Sequence, residues 1–184
     1  MSRPPVQFGL GNVEALLGSL VGDDLPIDEP NRPPAGRTAF VHTGEVFVSP
    51  VSTVARTILG SCVAVCLWDA RSGVGGINHF LLPYEVENGI SSPRYGNVAI
   101  RELIARLETL GSRRTQLLGK IFGGASVIGA AVAESETLGA KNVEFAQRAL
   151  RELGIPIVSQ DVGGDRGRKL YFRTEDGSAW VRKL

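Results

Sequence analysis

Reactive side chains are scarce in this chain. Its 184 residues include two cysteines, Cys62 and Cys66, and two histidines, His42 and His79. Charge of one sign is missing too. Twenty basic and 19 acidic residues leave a formal net charge of +1, without the electrostatic footprint of a general nucleic-acid or membrane-surface binder. The locally basic C-terminal stretch "DRGRKLYFRTEDGSAWVRKL" has acids mixed into it and reads as a solvated strand face. No apolar run approaches the roughly 18 residues of a transmembrane helix. The N-terminus, with Pro4, Pro5 and Glu14, lacks the continuous apolar segment of a secretory signal, so a cytoplasmic location with no membrane insertion is expected. No G-x-G-x-x-G or Walker loop stands between a strand and a helix. "FGGAS" (122–126) lacks the Lys-Ser/Thr ending of a phosphate loop and reads as a tight turn. No cofactor is expected.

Two cysteines also exclude things. On one extended strand Cys62 and Cys66 would share a face about 13 Å apart, too far to bridge. Their spacing is not the C-x-x-C of thioredoxin-like motifs. The order His42, Cys62, Cys66, His79 fits none of the usual zinc spacings, so no metal is expected.

What is present has the composition of an ordinary globular protein, 43% hydrophobic and 21% charged. Residues 1–37 stand apart: "DDLPIDEPNRPPAGR" (23–37) is rich in proline and charge and cannot form a packed core. They read as a tail, with "VEALLGSL" as a short docking helix, and 38–184 as one domain. Alternation in "AFVHTGEVFVSP" (39–50) predicts a strand or hairpin, and further strands are expected at 62–68, 75–82 and 116–122. Apolar spacing predicts helices over 97–111 and 142–154, the second capped by Asn142. "IPIVSQDVGG" resembles a strand and loop, and "KLYFRTEDGSAWVRKL" a hairpin turning at Asp176-Gly177. Gly123, Gly124, Gly163 and Gly164 read as turn glycines. The fold class expected is α/β or α+β: one layered domain of mixed β-sheet with about two main helices and a C-terminal β-hairpin.

The chemistry concentrates in "TILGSCVAVCLWD" (57–69). Free cysteine is usually a small buried hydrophobe, and Cys66 fits that description. Cys62 differs, because Gly60 and Ser61 place a small-residue turn directly before it. Successive backbone N–H groups in such a turn can form an anion-binding nest, which is what an acyl-transfer nucleophile needs beside it. A cysteine nucleophile also needs a base. His42, in "FVHTGE", is explained by a half-exposed turn. His79, in "GGINHFLLP" (75–83), lies on the next predicted strand, which can pair with the strand after Cys62. With no helix predicted to begin at Cys62, depression of its thiol pKa would have to come from His79.

Together "TILGSCVAVCLWD", "GGINHFLLP", "KIFGGAS", "GAKNVEFAQRAL" and "DVGGDRGRKLYF" resemble, in order and over about residues 38–184, the chemoreceptor glutamine deamidase family (CheD) of bacterial chemotaxis. The resemblance implies hydrolysis of receptor glutamine side chains to glutamate with release of ammonia. It also implies a Cys-His-Thr catalytic set, in which Cys62 matches the nucleophile and His79 the general base and acid. Thr57 is the best match for the threonine, with Thr53 as the alternative. The oxyanion role of Gly60, Ser61 and the Cys62 backbone comes from the turn, not from the family. Receptors are the expected protein substrate, and a phosphatase of the response regulator is a further partner the resemblance allows. The rival reading is a non-catalytic adaptor that docks on receptor helices or on that phosphatase. A papain-like protease fails, since its histidine lies more than about a hundred residues after its cysteine.

Overall fold

The computed structural model describes residues 35–85, 91–126 and 137–184. The segment "VEALLGSL" and nearly all of the tail lie outside the described residues, and so does a test of the boundary near residue 38. The described strands are β1 (Thr38–Phe40), β2 (Glu45–Ser49), β3 (Val54–Leu59), β4 (Val63–Asp69), β5 (Val74–His79), β6 (Leu118–Gly123), β7 (Ile157–Val162), β8 (Arg168–Arg173) and β9 (Ala179–Lys183). Helix α1 (Gly96–Thr109) lies between β5 and β6, and α2 (Leu138–Glu152) between β6 and β7. This is the mixed α/β architecture expected from the sequence, with two helices and a C-terminal hairpin. Its strands divide between two sheets, ordered β1-β3-β8-β9 and β2-β5-β4-β6-β7. Both are mixed: β1 runs parallel to β3 and β6 parallel to β7, and the other pairs are antiparallel.

The layering follows from β4. All seven residues of "VAVCLWD" are buried, the pattern of a strand covered on both faces. Val63, Val65 and Leu67 point into a core shared with Ile100, Leu103, Leu107, Phe145 and Leu150 of the two helices. Ala64, Cys66 and Trp68 point the other way, against Ala55, Leu59, Leu170 and Phe172 of the four-stranded sheet. Three layers result: four strands, five strands, two helices. At Gly75 an added Cβ would stand 2.2 Å from the Thr174 carbonyl oxygen, so only glycine lets the sheets approach there.

Three local expectations are corrected. The stretch 39–50 is not a hairpin, because the turn at Gly44 (φ +83°) carries the chain from one sheet to the other. The second helix starts at Leu138, capped by the Thr137 hydroxyl, which accepts from the Ala140 N–H at 3.2 Å; Asn142 lies inside it. Arg168, within the stretch read as a solvated face, is 1% exposed. Strand β3 was not anticipated. The hairpin β8–β9 forms as expected, with Gly177 at φ +72°.

Candidate active site

The site lies where the two sheets meet at one end. On β5, Gly75, Ile77 and His79 alternate toward the four-stranded sheet, while Gly76, Asn78 and, just past the strand, Phe80 face the helices. On β3 the inward positions are Ala55, Thr57 and Leu59. The threonine and the histidine therefore reach each other from different sheets, with Thr57 Oγ1 2.9 Å from His79 Nδ1. Both are buried. Thr53, the alternative, bonds instead to Ser49 and to the Val51 carbonyl.

Proton counting fixes the tautomer. A hydroxyl has one hydrogen, and Thr57 donates it to the Val41 carbonyl at 2.7 Å. It must then accept from Nδ1–H, which leaves the lone pair on Nε2. Thr43 stands at Nε2, its hydroxyl 3.2 Å away, and its single hydrogen serves either Nε2 or the Cys62 sulfur, not both at once. This threonine sits in the β1–β2 turn, held by a hydrogen bond from the Gly44 N–H to the His79 carbonyl at 2.7 Å. Glu45 Oε2 closes the same turn on the His42 N–H. His42 lies outside, its ring tilted against Phe40 with centroids 4.7 Å apart.

Burial drives the His79 pKa down from 6.5 to about 4, so the imidazole is a neutral base at pH 7. Cys62, half-buried at the end of the turn, has its thiol raised by burial, partly offset by hydrogen bonds to sulfur from the Thr43 hydroxyl and the Cys62 N–H. This corrects the expectation of a thiol depressed by His79. A neutral imidazole exerts no charge on the sulfur, so the resting pair is thiol and imidazole, not thiolate and imidazolium. Cys66 is fully buried and its thiol is raised further.

The turn before β4 is fastened through its carbonyls. Gly60 O accepts from the Ala125 N–H at 2.8 Å, and Cys62 O from the Gly124 N–H at 2.8 Å. Ser61 O accepts from Asn142 Nδ2 at 3.0 Å. The N–H groups of Gly60, Ser61 and Cys62 have no backbone acceptor among the described residues. Behind the turn, Arg168 donates to the carbonyls of Gly123 and Asp161, each at 2.6 Å, and to that of Gly163. Its charge is met by Asp161 at 3.6 Å. Gly123 has φ +111°, and an added Cβ would lie 2.2 Å from Cys62 O; Gly124, Gly163 and Gly164 also have positive φ.

Sequence reasoning missed Thr43, Asn142 and Arg168. The only signals were a hydroxyl in the turn "HTGE", an amide within "GAKNVEF" and an arginine after paired glycines. Among the described residues no cluster of three or more potential metal ligands occurs.

A buried Thr–His pair thus lies beside a cysteine that follows a turn whose Gly60 and Ser61 N–H groups have no backbone acceptor among the described residues. Residues 81–183 match the family described as CheD chemotactic sensory transduction. The chain is 50% identical over 145 residues, 79% of its length and 84% of the relative's, to a probable chemoreceptor glutamine deamidase CheD 1 of Anaeromyxobacter dehalogenans. It is 40% identical over 143 residues to a probable chemoreceptor glutamine deamidase CheD of Sulfurimonas denitrificans, covering 78% of this chain and 92% of that one. A third, from Trichlorobacter lovleyi, is 40% identical over 141 residues, 77% of this chain and 87% of the relative. The chain belongs to the CheD family.

Proposed function

We propose that this protein is a chemoreceptor glutamine deamidase, an amidohydrolase that converts receptor glutamine side chains to glutamate with Cys62 as nucleophile and His79 as base. The observation that carries the reading is the fixed tautomer: Thr57 holds Nδ1–H, so Nε2 faces the thiol side of the site as a neutral base.

In the acylation step Nε2 removes the Cys62 proton as sulfur attacks the glutamine Cδ. The carbonyl π electrons move to oxygen, and the backbone N–H groups of the Gly60–Cys62 turn hold that oxyanion. The imidazolium, stabilised through Nδ1–H by Thr57, gives its proton to the departing nitrogen, and ammonia leaves. A water then attacks the thioester, with Nε2 taking its proton. Collapse releases glutamate, and the sulfur recovers the proton from His79. Because the Thr43 hydroxyl is within hydrogen-bond reach of both Nε2 and the sulfur, it must rotate away or pass the thiol's proton on during attack.

The test is mass spectrometry of receptor cytoplasmic fragments incubated with the protein. A deamidated glutamine gains about one mass unit, because O replaces NH. Cys62→Ala should abolish the gain and Cys66→Ala should retain most of it. Deamidation undiminished in Cys62→Ala would sink the mechanism. Docking on a response-regulator phosphatase needs no thiol, so any such complex should survive Cys62→Ala.

A further inference from the structure

Asn142 is 0% exposed, in the middle of a helix where an amide has poor helix propensity. Its side-chain nitrogen donates to two carbonyls: Ser61 O at 3.0 Å and Leu81 O at 2.9 Å. The two acceptors fix which end of the amide is NH₂, since a carbonyl oxygen cannot face two carbonyls. Ser61 immediately precedes the proposed nucleophile, and Leu81 lies two residues beyond the proposed base. The Oδ1 atom is buried and meets no donor among the described residues. Buried polar atoms without a partner are rare and costly in folded proteins, so the position keeps an amide despite a loss at its other end.

We infer that Asn142 is a positioning residue that fastens the Cys62 turn to the His79 strand, and so sets the sulfur–imidazole geometry and the aim of the turn's N–H groups. This rests on the deamidase reading. Only a side chain with two hydrogens on one atom can bridge both carbonyls. Serine has one hydrogen; leucine has the volume and none. Arg168 acts on the same turn less directly, through Gly123. Asn142 joins the turn directly to the segment that follows the strand of the base.

The experiment compares wild type, Asn142→Leu and Asn142→Ala, with folding followed by near-UV circular dichroism. Deamidation of a receptor fragment should lose kcat by about 10- to 100-fold in both variants, the scale of roughly 1 Å of misplacement. KM should change less than about threefold, because the amide touches no substrate. A folded variant with wild-type kcat overturns the inference, as does a loss that appears in KM alone. If neither variant folds, the wild-type protein decides. Alkylation of Cys62 with iodoacetamide should shift the Asn142 side-chain NH₂ resonances, and unshifted resonances overturn the clamp. Failure of the deamidase reading looks different, since wild type itself would then leave the receptor glutamines unchanged, and a wrong nucleophile would show as deamidation that survives Cys62→Ala.

Discussion

At the scale of single residues, burial of His79 has two consequences that can be measured separately. Its neutral form is the base, so kcat/KM should be level from about pH 5 to 8 and fall by half near a pH of about 4, the value to which burial lowers the His79 imidazole pKa. A half-point near 6.5 would mean a solvated imidazole and another geometry. Removing its orienting partner is a distinct test. Thr57→Val frees Nδ1–H to turn and should lower kcat on the order of 10- to 100-fold. It should destabilise the fold by about 1–3 kcal/mol, since the Val41 carbonyl loses a donor and the buried Nδ1–H its acceptor. Thr57→Ser keeps the hydroxyl and should recover most of the rate. The raised Cys62 thiol predicts that its iodoacetamide labelling climbs through pH 9, with no plateau near neutrality.

Individual elements hold the site through their ends. Strand β6 finishes at Gly123, whose carbonyl accepts from Arg168 and whose Cα faces the Cys62 carbonyl at a separation no Cβ can share. Gly123→Ala should therefore push the turn off its hydrogen bonds to Gly124 and Ala125. The φ of +111° adds backbone strain of the order of 1 kcal/mol or more. The expected result is a loss of kcat well beyond the loss of stability, read by pairing initial rates with urea unfolding. Gly154→Ala is the control. It too has positive φ, at the end of α2, but an added Cβ there meets nothing within 4 Å, so it should cost stability and leave kcat alone.

For the molecule as a whole, His79 links folding to acidity. Its pKa is near 6.5 when unfolded and about 4 in the fold. Between those values the unfolded chain binds the extra proton, so stability rises with pH across this window and is lost as pH falls through it. The full effect is about 3 kcal/mol. Urea unfolding at pH 4 and at pH 7, compared between wild type and His79→Gln, isolates it; equal pH dependence in both proteins would refute it. The tail is a separate question at this scale. Its composition predicts that deleting residues 1–36 leaves the thermal midpoint nearly unchanged. The cut spares Arg37, whose carbonyl accepts from the Val54 N–H at 2.8 Å.

Sequence alone determined the elements whose signals are local. The C-terminal hairpin is legible from Asp176-Gly177 between apolar runs, α1 from its 3.6-residue stripe, and β4 from an unbroken apolar run. The cysteine after a small-residue turn is likewise visible, because glycine and serine mark tight backbone wherever they fall. Tertiary structure decided what depends on contacts between distant segments. The fate of 39–50 turned on Gly44 passing the chain between sheets, and pattern cannot distinguish that from a hairpin. Asn142 carries a good capping side chain, yet Thr137 took the cap five residues before the expected one, and the amide was left to bind carbonyls from elsewhere. The resting state of the cysteine and histidine was hidden for the same reason. Spacing sets which residues can meet, whereas a pKa is set by how much water the assembled layers exclude, and that quantity exists only once two sheets have closed over His79.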